Sequence, residues 1–239
     1  MNPLEKVSSQ SLRTLLDVGC NVGALLHDCS KRFPDAKLSG VEINETALAQ
    51  AKQDFPQIDF QHAGAEKLPF ADESFQYVTC CEVLEHVAPD LRMSSFCEMR
   101  RVLELGGYLI LTVPHAGWFA WLDSNNFRHR FPRIYAKLIG KGNRDENYKR
   151  KGRMVEWHYH FTIAELEKLM GQGWRKVTIS RGGLVLCPLM DCFSWPFYRW
   201  GKSSHFLRIL FEKISNWESN IDFGTPSYRI LIVLEKTQI

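Results

Sequence analysis

Two sets of residues in this 239-residue chain have types and spacing suited to chemistry. The first is the run Leu15–Gly23, LLDVGCNVG, followed 19 residues after Gly23 by Glu42. Glycines at 19 and 23 let a backbone turn sharply and lie close to a ligand. A helix opening at Val22 aims free N–H groups at the same spot. An acid at the end of the next strand, as Glu42 is placed, accepts hydrogen bonds from a ribose diol. The second set is histidine. His115 stands at the expected end of a strand, and His158 and His160 lie in WHYHFT, just before an expected helix. A neutral imidazole there could take the proton of a hydroxyl. His27, His62, His129 and His205 have no such setting and read as surface or packing residues; His86, in EVLEHV, is expected near the mouth of the site.

The elements that must position these groups alternate in period. Short β-branched or aliphatic runs fall at Thr14–Val18, Lys37–Ile43, Ile58–His62, Phe75–Cys81 and Tyr108–Val113. Helical spacing fills Val22–Phe33, Glu45–Phe55 and Leu91–Leu103 between them. Such alternation predicts βαβ units and a parallel sheet. Asn44 is placed to cap the second helix, and Gly106–Gly107 is expected to end the third. Beyond Pro114, residues 161–174 read as a helix with Thr162 and Glu165 at capping-box spacing, and strands are expected at Lys176–Ser180 and Tyr228–Leu234. The prediction is one α/β domain over 1–239: a Rossmann-like doubly wound sheet, mostly parallel with an antiparallel C-terminal strand and helices on both faces. Insertions at about 115–160 and 182–226 are expected to form the acceptor side.

Bulk properties narrow the function. The chain is 45% hydrophobic and 24% charged, as globular proteins are, and no apolar run approaches the roughly 20 residues of a membrane span. MNPLEKVSSQSLR lacks the apolar core of a secretory signal. Seven cysteines, two of them adjacent, suit reduced thiols, and no His/Cys grouping has zinc-site spacing, so no metal is expected. A cytoplasmic location follows. The net charge is +3, yet residues 128–153 hold ten Lys/Arg against two acids. That excess suits an anionic partner or a solvated loop.

At this point a family resemblance is visible. LLDVGCNVG resembles motif I of the class I S-adenosylmethionine-dependent methyltransferases, small-molecule type. GVEIN, GAEKLPFADESFQYV, CCEVLEHV, EMRRVLELGGYLILTVP and HYHFTIAELEKLMGQGW resemble five further blocks in family order. The resemblance implies S-adenosylmethionine as cofactor. It implies that Gly19, Cys20, Asn21 and Gly23 wrap its methionine part, with Asp17 supporting the loop. Glu42 would hold the ribose and Ile43 pack on the adenine; Gly64, Ala65 and Glu66 match the adenine-edge segment, and Cys81 the methionine side. Two positions depart from the pattern: Asn21 replaces the middle glycine, and Gly64 an acid. The spacing does not fit the G-x-G-x-x-G of nicotinamide enzymes.

Methyl transfer from a sulfonium is an in-line displacement, helped chiefly by alignment. Transfer to a hydroxyl needs a base, drawn first from His158, then from His115 and His160. The basic stretch and the aromatic segment 182–226 suit a small-molecule, glycan or lipid-linked acceptor, amphiphilic and anionic, with peripheral contact at a membrane. A different class of acceptor is RNA, with Phe127, Phe131, Tyr135 and Tyr148 stacking bases among the cations, although no appended RNA-binding domain is visible. A non-catalytic methyltransferase-like scaffold is the third reading.

Overall fold

The computed structural model describes residues 12–123, 126, 158–199 and 205–238. The basic stretch 128–153 and its aromatics, with Trp157, therefore lie outside the described residues. The described residues form two compact units: those of 12–112, 163–179 and 231–238 make the larger, and those within 113–162 and 180–230 the smaller. The smaller covers nearly the same residues as the two expected insertions.

Seven strands form one sheet: β1 (Thr14–Val18), β2 (Lys37–Glu42), β3 (Asp59–His62), β4 (Phe75–Cys81), β5 (Leu103–Pro114), β6 (Trp174–Gly182) and β7 (Arg229–Lys236). Their order is β3-β2-β1-β4-β5-β7-β6. The pairings β1–β2, β1–β4, β2–β3 and β4–β5 are parallel, and the sheet as a whole is mostly parallel with one antiparallel pair. Leu15, Leu16, Val41, Val78, Leu109, Ile110 and Leu111 are fully buried, the near-continuous apolar reading of strands covered on both faces.

Three helices connect the first five strands: α1 (Ala24–Arg32), α2 (Glu45–Asp54) and α3 (Arg92–Val102). From β1 the chain steps outward to β2 and β3, then returns to β4 on the other side. Right-handed crossovers in opposite directions put α1 and α3 on opposite faces, and the reversal between β1 and β4 is the switch point where such sheets bind ligands. Asn44 caps α2 as its position predicts: Oδ1 accepts from Thr46 N–H at 3.0 Å and Ala47 N–H at 3.2 Å.

The Gly106–Gly107 pair does not end a helix. α3 stops at Val102, and β5 begins at once with Leu103 opposite Phe75. Tyr77 then pairs with Tyr108, so the glycines sit in a bulge inside the strand, with Gly106 at φ 77°. Extra residues in one strand need backbone angles that glycine reaches without strain.

Three more helices follow: α4 (Ile163–Met170), α5 (Leu186–Arg199) and α6 (Phe206–Ser219). The spacing of Leu207, Leu210, Phe211 and Ile214 anticipates α6. In the smaller unit α5 packs along α6, with Phe193 and Phe211 ring centroids 5.8 Å apart. No described helix is long and apolar enough to cross a membrane. Asn44→Ala should lower stability by about 1 kcal/mol in a urea titration, the usual worth of an N-cap; an unchanged midpoint would contradict the capping role.

Candidate functional site

The turn after β1 is built from three residues in left-handed backbone: Gly19 (φ 77°), Asn21 (φ 49°) and Gly23 (φ 79°). Asn21 thus adopts the angle that its type tolerates better than most side chains do. The space that the glycines free is taken by the protein's own core. A β-carbon at 19 would lie 2.3 Å from Val83 Cγ2, and one at 23 would lie 2.7 Å from Phe60 Cζ. Gly19 and Cys20 both donate to Val41 O, at 2.8 and 3.0 Å, which presses the turn onto the end of β2. α1 then starts directly from Gly23, and no side chain caps it, so its first N–H groups are left for a ligand.

Glu42 lies where this turn meets the next. Its Oε2 accepts from Asn21 N–H at 2.9 Å, and its Oε1 from Ile43 and Asn44 N–H at 2.8 and 2.7 Å. Three of roughly four acceptor directions on a carboxylate are used, and Glu42 is only half-buried, so a diol can still reach it. Ile43 is half-buried beside it, and Ile43 O meets His62 Nε2 at 3.0 Å.

Asp17 sits beneath the loop, buried, accepting the Thr79 hydroxyl at Oδ1 at 2.6 Å. Burial pushes its carboxyl up to about 7; the Thr79 hydrogen bond opposes this, and the Glu42 charge adds to it. Thr79 has no motif of its own and is invisible to sequence reasoning. Cys20 and Cys81 are raised to about 12, chiefly by burial, so both are neutral thiols shaped for contact, not nucleophiles. Past β3, Ala65 is buried, and the Glu66 carboxylate folds over Gly64: a β-carbon there would meet Glu66 Oε2 at 2.3 Å. An acid at 64 and Glu66 in this rotamer are mutually exclusive.

The three histidines singled out by sequence all lie in the smaller unit, together with two residues that sequence reasoning missed. Asp123 follows a short 3₁₀ turn at Ala120–Leu122, and its Oδ2 meets Nδ1 of His158 and, at 3.2 Å, Nε2 of His160. Asn126 grips the main chain of His158 twice, accepting from its N–H at 2.9 Å and donating to its C=O at 2.8 Å. Neither Asp123 nor Asn126, in WLDSNN, stands in any recognisable spacing.

His115 is held separately. Its main-chain N–H donates to Tyr228 O at 2.7 Å, and its ring Nδ1 lies 2.7 Å from Ser227 O. A carbonyl can only accept, so Nδ1 carries the proton and Nε2 the lone pair. Burial lowers the value of His115 below 6.5, against the opposing pull of Ser227 O, which keeps the ring neutral at pH 7. Of the remaining histidines, His27 stacks on Phe55 at 4.2 Å, and His205 caps α6 by accepting from Leu207 N–H. His86 ends a 3₁₀ turn at Leu84–His86 in the larger unit.

A family model described as a methyltransferase domain matches residues 16–111. A demethylmenaquinone methyltransferase of Chlorobaculum parvum is 32% identical over 113 residues, 46% of this chain and 44% of that protein. A ubiquinone biosynthesis O-methyltransferase of Dinoroseobacter shibae is 28% identical over 184 residues, 75% of this chain and 66% of that protein. The chain thus spans less than two thirds of the length of either relative. Among solved structures, a methyltransferase of Methanosarcina mazei aligns over 100% of this chain and 99% of its own, with a TM-score of 0.64 at 20% identity, a likeness of fold.

Two outcomes test this geometry. Gly19→Ala should weaken S-adenosylmethionine binding at least tenfold by calorimetry, since Val83 blocks the new methyl group and φ 77° disfavours it; unchanged affinity would refute the packing argument. Asp17→Asn should raise thermal stability at pH 8. The native carboxyl, raised to about 7, destabilises the fold progressively as pH climbs from about 4 to 7, and the amide has no charge to bury. A variant less stable than the parent at pH 8 would contradict the burial account.

Proposed function

We propose that this chain, which carries a class I S-adenosylmethionine-dependent methyltransferase domain in residues 16–111, transfers a methyl group from S-adenosylmethionine to a hydroxyl of a small amphiphilic acceptor. The observation that carries the reading is the left-handed turn of Gly19, Asn21 and Gly23 joined to Glu42, a cradle with an acid at its rim. Glu42 would hold the ribose hydroxyls, Ile43 and the Ala65–Glu66 segment the adenine, and the uncapped start of α1 the methionine carboxylate. When S-adenosylmethionine is bound, it supplies an electrophilic methyl carbon on a sulfonium. The protein's share is to align the acceptor oxygen with that carbon, an effect of several kcal/mol on its own.

His115 is the base in this proposal. Its Nδ1–H is spent on Ser227 O, its ring is neutral at pH 7, and Nε2 has no hydrogen-bond partner among the described residues. His158 and His160 instead share the Asp123 carboxylate.

The choice of acceptor draws on two supports. The relatives are a demethylmenaquinone methyltransferase and an O-methyltransferase of ubiquinone biosynthesis, and such quinones join a polar ring to an apolar tail. The smaller unit also exposes large aromatics: Trp118 at 72%, Phe206 at 68%, Trp217 at 63% and Trp121 at 58%. Such residues suit an amphiphilic substrate and a peripheral seat at a lipid surface.

The test is to incubate the purified chain with methyl-labelled S-adenosylmethionine and host extract, then separate lipid, glycan, RNA and small molecules. Label in the organic-soluble fraction is expected; label confined to RNA, or none, would overturn the reading. His115→Ala should lower kcat by about 100-fold while leaving cofactor affinity unchanged, and the parent's kcat/KM should fall on the acid side with a midpoint below 6.5. An unaltered rate would remove His115 from the mechanism.

A further inference from the structure

We infer that Asp123, His158 and His160 form a binding site for one divalent transition-metal ion of the zinc, iron or manganese class. The inference does not rest on methyl transfer. Two imidazoles and one carboxylate are a donor set that these ions favour, and three protein ligands leave coordination positions open to water or a substrate oxygen.

The geometry supports it at three levels. The donor atoms, one from each residue, lie within 4.8 Å of one another. Ligands about 2.1 Å from a tetrahedral ion stand about 3.4 Å apart, so the 3.2 Å between Asp123 Oδ2 and His160 Nε2 already suits an ion. The contact between Asp123 and His158 Nδ1 is tighter and must open to admit one.

Burial makes the cluster costly without a cation. The side chains of Asp123, His158 and His160 are 1%, 7% and 8% exposed. A single oxygen, Oδ2, faces both imidazoles, and His160 Nε2, though buried, forms no hydrogen bond among the described residues. Its distance to Oδ2 is short, yet its alignment is wrong for an N–H donor. A ring nitrogen that is close to a carboxylate and misaligned for donation is what a shared ion would produce.

The support around the ligands fits as well. His158 and His160 are two apart in sequence, the spacing that puts two side chains on one side of an extended segment. Their rings meet edge to face at 5.8 Å. Asn126 fixes the main chain of His158 on both its N–H and C=O, and Phe161 pairs with His115 just beyond. Ligands held by outer hydrogen bonds keep their donors aimed. The separation of 35 positions between Asp123 and His158 explains why no zinc-like spacing appears in the sequence.

The full chain, stripped with EDTA and dialysed, should be titrated with Co²⁺ by absorbance and Zn²⁺ by calorimetry. One equivalent of Co²⁺ should give visible d–d bands and no thiolate charge-transfer band, which separates this site from the seven cysteines. His160→Gln and Asp123→Asn should each weaken Zn²⁺ binding by at least about 100-fold, since loss of an outer-sphere partner alone costs 10–100-fold. Thermal shift with S-adenosylmethionine, read on the same samples, reports that the variants are folded and tests methyl transfer separately. A parent protein without one-to-one Co²⁺ spectra, a thiolate band, or folded variants that bind Zn²⁺ like the parent would overturn the site. Zn²⁺ binding without any response to S-adenosylmethionine would sink the methyltransferase reading and leave the metal site standing.

Discussion

The carboxylate of Glu42 ties together the two loops on which the candidate ligand site in the larger unit depends. β1 and β2 run side by side, Val18 opposite Val41, so the turns that leave them emerge as neighbours. Backbone N–H groups there would otherwise compete for water. Glu42 instead collects those of Asn21, Ile43 and Asn44. Hydrogen bonds to a charged acceptor contribute roughly 1.5–3 kcal/mol each, enough to hold Asn21 in its left-handed angle. Asn44, held by the same carboxylate, then caps α2. One side chain therefore sets the shape of the first turn, the start of the second helix and the polar rim of the proposed cradle.

The smaller unit uses buried polar groups in the same way. Glu218, buried near the end of α6, accepts from Leu184 N–H at 2.9 Å and Cys187 N–H at 2.7 Å, the donors at the start of α5. Burial alone would raise its value, but these backbone donors outweigh burial and leave it lowered, so the charge persists. Asn126 does for the His158 segment what Glu218 does for α5. Neither unit relies on apolar burial alone to fix the parts where chemistry is placed. Asp17 shows the cost: a carboxyl is kept under the loop although its surroundings favour the neutral form.

What was legible in the sequence follows from locality. β1 and β4 fall at the expected residues because each is a short run of mainly apolar and β-branched residues, followed by Gly19 and Glu82 respectively. The turn, the Asn44 cap and Glu42 are set by residue type at fixed offsets, which a linear reading captures. β5 starts five residues earlier than its apolar run suggests, because the bulge at Gly106–Gly107 lets Leu103 pair where periodicity is lost. α5 escaped because prolines at 188 and 196 argue against a helix, while packing against α6 outweighs that preference. Thr79, Asp123 and Asn126 act through contacts 32–62 residues away in sequence, and no local pattern marks them. At position 64 the missing acid is legible, but the Glu66 carboxylate that covers the space is a matter of rotamer.

The central claim is that the turn joined to Glu42 is a nucleoside-binding cradle, and a crystal structure of the full chain with S-adenosylhomocysteine addresses it most directly. The account predicts both ribose hydroxyls within hydrogen-bond distance of the Glu42 carboxylate, the adenine against Ile43 and Ala65, and the amino-acid end over Gly19 and the start of α1. Density for the nucleoside away from Glu42, or none at saturating ligand, would contradict it.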